Sequence, residues 1–261
     1  MTDWRLYALI IGAMFLIAYL RMKKKRRVYR RMPDRDFPNP WRKILEKRVR
    51  FYQRLSRTDK EKFEKEVHIF LLNFQIVGAE TTVTDLDRML VASGAVIPTF
   101  RLEKWHYTTL KKVVIHSGKF QIPDTNQLAR GLVGWGEMEG QMWLSREALY
   151  EGFHKTVDNK NVAIHEFIHL MDMQDGIVDG IPETLMEGSD IQQWKKLYEE
   201  KSEQKDLINT EGLRRYAKTS LVEFLAATSE HYFENPDHLK RKHPKLYRAL
   251  DKIYRPNANW F

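Results

Sequence analysis

Apolar residues recur at helical spacing directly after Trp41, and this spacing predicts that the folded domain opens with a helix. The positions that set the period are Ile44, Leu45, Val49, Tyr52 and Leu55. Thr58 and Glu61 have the spacing of a capping box, which predicts the start of a second helix. That helix is predicted to run to Val77, with Gly78 beyond its end.

The pattern changes in the middle of the chain. Thr84 and Asp87 repeat the start signal and predict a third helix that closes at Gly94. Two short segments with strand-like composition follow at residues 111–117 (KKVVIHS) and 140–145 (GQMWLS), and they are predicted to be strands. The remainder reads as helical. We therefore expect an α+β fold, mostly helical, with a small sheet and a C-terminal helical part.

Residues 161–176 (NVAIHEFIHLMDMQDG) predict a helix that is apolar on most sides and is therefore buried. Either Asn159 or Asn161 can cap its start. His165 and His169 lie four residues apart, so their imidazoles share one face of this helix.

Together with the adjacent Glu166, these histidines form the pattern H-E-x-x-H. Two neutral imidazoles can bind Zn²⁺ and leave a position open for water, while the glutamate accepts the proton of that water. Two alternatives remain at this stage: a pair of core histidines hydrogen-bonded to the backbone, and a closed zinc site without catalysis. Buried histidines without partners would be costly, which favours a metal.

A third ligand has to come from elsewhere in the chain, and Glu223 is the strongest candidate because it interrupts an apolar helical stripe. Ser220 precedes it at capping-box spacing, which would give Glu223 a purely local role instead. Glu230 lies near the same helix face and is the reserve ligand, or an acceptor for a histidine N–H. Asp175 and Asp179 each precede a glycine and are predicted to form turns.

The formal charge of +9 would suggest nucleic acid as a partner, but the excess is concentrated in one segment. Residues 21–31 (RMKKKRRVYRR) contain eight Lys or Arg and no acid, which leaves a nearly neutral remainder. We therefore expect no nucleic-acid interface. Cysteine is absent, so a zinc site here must use histidine and carboxylate.

An uncharged apolar stretch precedes this basic segment, at residues 6–20. It predicts a single transmembrane anchor over residues 4–20, with a helix lying on a membrane or partner surface as the alternative. The basic collar then places the rest of the chain in the cytoplasm, at the bacterial inner membrane. Residues 21–40 are predicted to be the collar and a proline-containing linker, and residues 41–261 the zinc metallopeptidase domain.

Four blocks of the chain carry a resemblance to a known family: VAIHEFIHLMDMQDG, DGIP, YAKTSLVEFLAATSEHYFENP and the earlier FLLNFQIVGAETTVTDLDRMLVASGAVIP. They resemble the corresponding blocks of the Mlc titration factor A family, glucose-regulated zinc metallopeptidases of the gluzincin type. The resemblance implies that His165, His169 and Glu223 bind zinc and that Glu166 is the catalytic glutamate. It also implies that Tyr216 stabilises the tetrahedral intermediate. The members of this family that the blocks resemble are soluble, so the predicted anchor is a departure that bears on the family's repressor-binding role.

These observations predict a membrane-anchored peptidase with one Zn²⁺ per chain, a peptide or protein substrate and Glu166 as general base. The alternative is a membrane-tethered module that captures a cytoplasmic transcriptional regulator and keeps zinc mainly for structure. The segment 140–145 is either a strand that aligns the substrate or an ordinary interior strand. Asp172 either accepts a histidine N–H or belongs to the helix end. The histidines expected to be structural or surface residues are His106, His116, His154 and His231.

Overall fold

A computed structural model of the chain describes residues 30–103, 105–134, 138–154, 160–203 and 220–256. The predicted anchor, most of the basic collar and Tyr216 lie outside these residues. Within the described ranges, none of the helices combines the length and the apolar character needed to span a bilayer. The observed architecture is α+β and mostly helical with a small sheet, as the sequence predicts.

Four strands form a mixed sheet in the order β1-β2-β6-β5. The central pair, β2 (Lys112–His116) and β6 (Gln141–Ser145), is parallel and confirms both predicted strands. Strand β1 (Gln75–Gly78) runs parallel to β2, and β5 (Gly131–Val133) runs antiparallel to β6. A separate two-stranded antiparallel hairpin consists of the short strands β3 (Phe120–Gln121) and β4 (Leu128–Ala129).

The first helices match the predicted period but not the predicted ends. Helix α1 (Asn39–Arg48) and the short α2 (Arg50–Gln53) are separated at Val49, where the backbone is extended. Helix α3 (Arg57–Asn73) is capped by Ser56, whose hydroxyl accepts the N–H of Asp59, so the predicted capping box at Thr58 and Glu61 is wrong.

Helix α3 also ends earlier than predicted. The residues that were expected to continue it to Val77 form β1 instead, because they pair with β2 in parallel register. Strand β1 therefore has a strand partner that is distant in sequence, and a local helical pattern cannot indicate it.

Helix α4 (Asp85–Thr99) begins as predicted, with a reciprocal capping box between Thr84 and Asp87. Its predicted end at Gly94 is wrong, since the helix continues through Pro98 to Thr99. A Cβ atom at Gly94 would lie 2.5 Å from Cβ of Ala163 in the next buried helix. This glycine therefore permits close packing of two helices and does not act as a C-cap.

The remaining helices follow β6 in the chain, and the last four form the C-terminal part. They are α5 (Arg146–His154), α6 (Val162–Asp172), α7 (Gly188–Glu203), α8 (Leu221–Glu234), α9 (Pro236–Lys242) and α10 (Pro244–Tyr254). Helix α6 is buried along most of its length, as its apolar composition predicts. It lies among α4, α5, α8 and the strands β5 and β6, and so occupies the centre of the described fold.

Candidate metal centre

Helix α6 carries the two histidines of the site, His165 and His169. Its start is capped by Asn161, whose side-chain oxygen accepts the N–H of Ile164 at 3.3 Å, as the sequence predicts for one of two asparagines. One turn separates His165 from His169, and their rings meet edge to face with centroids 4.7 Å apart. Both imidazoles remain partly accessible, with 17% and 15% of the side chain exposed. The helix therefore presents two nitrogen donors at an accessible surface of an otherwise buried element.

Glu223 approaches these histidines from the first turn of α8. The cap of that helix is Ser220, whose hydroxyl accepts the N–H of Glu223 at 3.2 Å. The Glu223 carboxylate has a longer reach: Oε2 lies 3.4 Å from Nε2 of His165, and Oε1 lies 3.5 Å from Nε2 of His169. The backbone N–H of Glu223 thus takes part in the helix cap, while its carboxylate faces the two imidazoles.

The spacing of the three donors fits one metal ion. Their ligand atoms all lie within 4.8 Å of one another, and among the described residues they form the group of three such side chains that could hold an ion. Two ligand atoms on a tetrahedral Zn²⁺, each about 2.1 Å from the ion, would be about 3.4 Å apart. Each imidazole nitrogen lies at about that separation, 3.4 or 3.5 Å, from one of the two carboxylate oxygens of Glu223. Two imidazoles and one carboxylate are also a donor set that catalytic zinc sites use.

Glu230 holds His165 from the side opposite Glu223. Its Oε1 lies 2.7 Å from Nδ1 of His165, and its Oε2 accepts the backbone N–H of Asn161. A carboxylate at Nδ1 keeps the proton on that nitrogen and leaves Nε2 free to bind a metal. Of the two roles that the sequence left open for Glu230, the geometry favours the acceptor.

The carboxylate of Glu166 is buried beneath strand β5, with 6% of the residue exposed. A Cβ atom at Gly131 would lie 2.3 Å from Oε1 of Glu166 and 2.6 Å from Cγ2 of Val162. Gly131 is therefore required for the close approach of β5 to α6. The sequence reasoning did not identify this strand, although a glycine that begins a short apolar run is a usable signal for such an approach.

The charges of the site are strongly coupled. Burial alone would lower the pKa of His165, but the carboxylates of Glu230 and Glu223 reverse this and hold that pKa well above its usual range. Burial would raise the pKa of Glu223, yet its hydrogen bonds with His165 and His169 hold it far below the ordinary value. Burial raises the pKa of Glu166 in spite of the two neighbouring imidazoles.

Other residues singled out in the sequence have structural contacts. The carboxylates of Asp175 and Asp179 accept the N–H groups of Ile177 and Ile181, so both form the predicted turns. Asp172 lies at the end of α6, and the structure favours the helix-end role, since its Oδ2 accepts a backbone N–H from the following loop at 2.9 Å. The histidines at positions 106, 116, 154 and 231 do not join the three-residue group.

Strand β6, which the sequence offers as a strand that aligns a substrate or as an ordinary interior strand, has the second role. The segment 140–145 contains β6, which lies between β2 and β5 and is an interior strand. Its alternative reading is therefore correct. Among the described strands, β1 and β5 form the two edges of the sheet, and β5 is the edge strand that contacts Glu166.

Comparison with known proteins places this site in a family context. The family model described as glucose-regulated metallo-peptidase M90 matches residues 20–255. The uncharacterized protein slr2042 of Synechocystis sp. is 29% identical over an alignment of 236 residues that covers 85% of each chain. Mlc titration factor A of Pectobacterium atrosepticum is 27% identical over 67% of this chain and 71% of its own length. The protein of the same name from Yersinia enterocolitica is 28% identical over 55% and 58%.

Proposed function

The chain belongs to the glucose-regulated metallo-peptidase M90 family, and from this membership we propose that it is a zinc-dependent peptidase. The ion would be held by His165, His169 and Glu223. The observation that carries the proposal is the 3.4 to 3.5 Å spacing between the Glu223 oxygens and the two imidazole nitrogens. When bound, zinc would polarise the scissile carbonyl and lower the pKa of a water molecule.

Side chains of the protein would transfer the proton, orient a metal ligand and stabilise the oxyanion. Glu166 accepts the proton of the attacking water and can then pass it to the leaving amine. Its carboxylate is buried against Gly131 of β5, which restricts its position, and it interacts electrostatically with both ligand imidazoles. Glu230 keeps His165 in the tautomer that binds metal through Nε2. Tyr216, by resemblance to the family, would donate a hydrogen bond to the oxyanion.

Strand β5 would align an extended peptide substrate. The N–H of Ser145 donates to the carbonyl of Arg130, and the N–H of Gly134 donates to the carbonyl of Gln141. In an antiparallel pair with this register, Gly131 and Val133 direct their peptide groups away from β6. Their N–H and C=O groups are therefore oriented to pair with another strand, directly above Glu166.

A single substitution tests the catalytic proposal. In the purified full-length protein, Glu166→Gln should reduce cleavage of a peptide library by about 10²- to 10⁴-fold, because the proton acceptor is lost. Zinc content should remain at one ion per chain. The matched control is Glu147→Gln on the exposed side of α5, which should keep the wild-type rate. Cleavage by Glu166→Gln at the wild-type rate, or no cleavage by the wild type, would refute the proposal.

A second candidate function has support from the names of the relatives, several of which are called Mlc titration factor A. In this alternative, the chain captures a cytoplasmic transcriptional regulator similar to Mlc, and zinc is mainly structural. Capture of such a regulator with equal affinity by wild type and Glu166→Gln, together with no cleavage by either, would favour it. Cleavage that requires Glu166 would favour the peptidase.

We also propose that residues 4–20 anchor the protein in the bacterial cytoplasmic membrane, with the peptidase domain in the cytoplasm. The support is the apolar stretch at residues 6–20 followed by eight basic residues. Alkaline carbonate extraction of membranes should leave the full-length chain in the pellet and release a variant that lacks residues 1–31. Release of the full-length chain would refute the anchor and leave the metal site untouched.

A further inference from the structure

The loop between α6 and α7 is attached to two buried side chains through one residue, Gly180. Its backbone N–H donates to Oδ2 of Asp172 at 2.9 Å, and its carbonyl accepts the indole N–H of Trp194 at 2.9 Å. Both Asp172 at the end of α6 and Trp194 in α7 are fully buried. Gly180 is therefore fixed relative to two helices.

The same residue abuts the first turn of α8. Its φ is +77°, and a Cβ atom there would lie 2.3 Å from the carbonyl carbon of Leu221 and 2.6 Å from the nitrogen of Val222. Glu223 follows immediately. The Trp194 ring packs on Phe224, the next residue, with centroids 5.1 Å apart. Two contacts from the loop and α7 thus flank the candidate ligand on α8.

We infer that Gly180 is a positioning residue for the third metal ligand, an inference that rests on the proposed zinc site. The loop acts as a spacer: its attachment to Asp172 ties it to the helix that carries both histidines, and its contact with Leu221 sets where α8 begins. All three ligand atoms must converge on one ion. A shift of the first turn of α8 that moves Glu223 away from the imidazoles therefore weakens metal binding.

A neighbouring glycine supplies a matched control. Gly176, in the same loop, also has a positive φ, +98°, but a Cβ atom there would meet nothing within 4 Å among the described residues. Gly176→Ala and Gly180→Ala both place a side chain on left-handed backbone, so they share that strain. Only Gly180→Ala pushes against α8.

The experiment measures zinc affinity by chelator competition and thermal unfolding of the metal-free full-length protein. Gly180→Ala should weaken zinc binding by about tenfold or more, whereas Gly176→Ala should leave the affinity unchanged. In a Glu223→Ala background, Gly180→Ala should cause no further loss, since it acts through Glu223. Equal losses in the two glycine variants, or a full loss that persists without Glu223, would overturn the inference.

A substitution of Trp194 provides a second test of the inference. If Gly180→Ala does not fold, Trp194→Phe removes the donor to the Gly180 carbonyl and leaves a smaller ring facing Phe224 at the same buried position. It should weaken zinc binding by roughly three- to tenfold, again only when Glu223 is present, and a wild-type affinity would overturn the inference. Absence of zinc binding by the wild type would refute the proposed function itself, which is a distinguishable result.

Discussion

Glu230 offers the sharpest test of how the site is held together, because one buried carboxylate accepts from two donors. Glu230→Ala would leave Nδ1–H of His165 and the backbone N–H of Asn161 without their acceptor. Each unpaired buried donor costs about 1–3 kcal/mol, so the variant should lose about 2–6 kcal/mol of its free energy of unfolding. Glu230→Gln keeps one acceptor oxygen and should lose about half of that, roughly 1–3 kcal/mol.

The two Glu230 variants should also weaken metal binding by roughly 10- to 100-fold, because the imidazole of His165 is no longer oriented. Denaturant unfolding of the metal-free protein gives the first quantity, and chelator competition gives the second. Glu234→Gln, which changes a buried carboxylate one turn further along α8, is the control and should keep the zinc affinity. If Glu230→Gln matched the wild type in both stability and zinc affinity, the reasoning about Glu230 would be wrong.

Three further predictions concern stability. Burial raises the pKa of Asp172 to about 6, so the folded state binds this proton more tightly than the unfolded state, and stability falls as pH rises from about 4 to 6. The stability of Asp172→Asn relative to wild type should therefore increase by about 3 kcal/mol between pH 4 and pH 7, as measured by urea unfolding. Arg146→Met should destabilise the protein by about 3 kcal/mol, because it leaves the buried Asp87 without its two-pronged partner. Gly94→Ala should cost about 1–3 kcal/mol in thermal unfolding, since its Cβ would overlap that of Ala163.

The arginine and glycine variants each have a control in the chain. Arg57→Met removes an exposed ion pair with Glu61 and should change stability by less than about 0.5 kcal/mol. Gly118→Ala adds a Cβ atom that meets nothing within 4 Å among the described residues, so it should be nearly neutral. A pH-independent difference for Asp172→Asn would contradict the assignment of its pKa.

Helix caps can be predicted from the sequence, because each cap depends on side chains within a few residues of the helix start. The capping box at Thr84 and the cap at Asn161 were both predicted, because each depends on side chains that bond to the backbone of the next turn. The same signal placed the start of α3 two residues too late, since Ser56 and Asp59 have the same spacing and form the actual cap. Capping patterns that overlap by two residues cannot be separated without the structure.

Features decided by distant contacts were not predictable. The end of α3 depends on the pairing of β1 with β2, and Gly94 depends on Ala163, which is far away in sequence. Strand β5 was missed for the same reason, because its three residues form a strand only by pairing with β6. In each instance the local pattern was compatible with another structure, and tertiary packing decided between them.

The candidate metal site also combines features that local geometry fixes with features that distant contacts fix. The spacing of His165 and His169 on one helix face follows from helix geometry alone. The choice between Glu223 and Glu230 does not, since both lie on α8 seven residues apart and both reach α6. The sequence pattern ranks Glu223 first, but their separate roles follow from which imidazole nitrogens each one faces, and helical spacing alone does not give that.

The proposed zinc site requires that two histidines of one helix and one glutamate of another hold a single ion and leave one coordination position open. Anomalous diffraction at the zinc absorption edge, from crystals of the full-length protein, measures this arrangement. We expect one peak about 2.0–2.2 Å from Nε2 of His165, Nε2 of His169 and a carboxylate oxygen of Glu223, with no fourth protein ligand. A peak at any other place, a fourth ligand from the protein, or no peak from zinc-saturated crystals would contradict it.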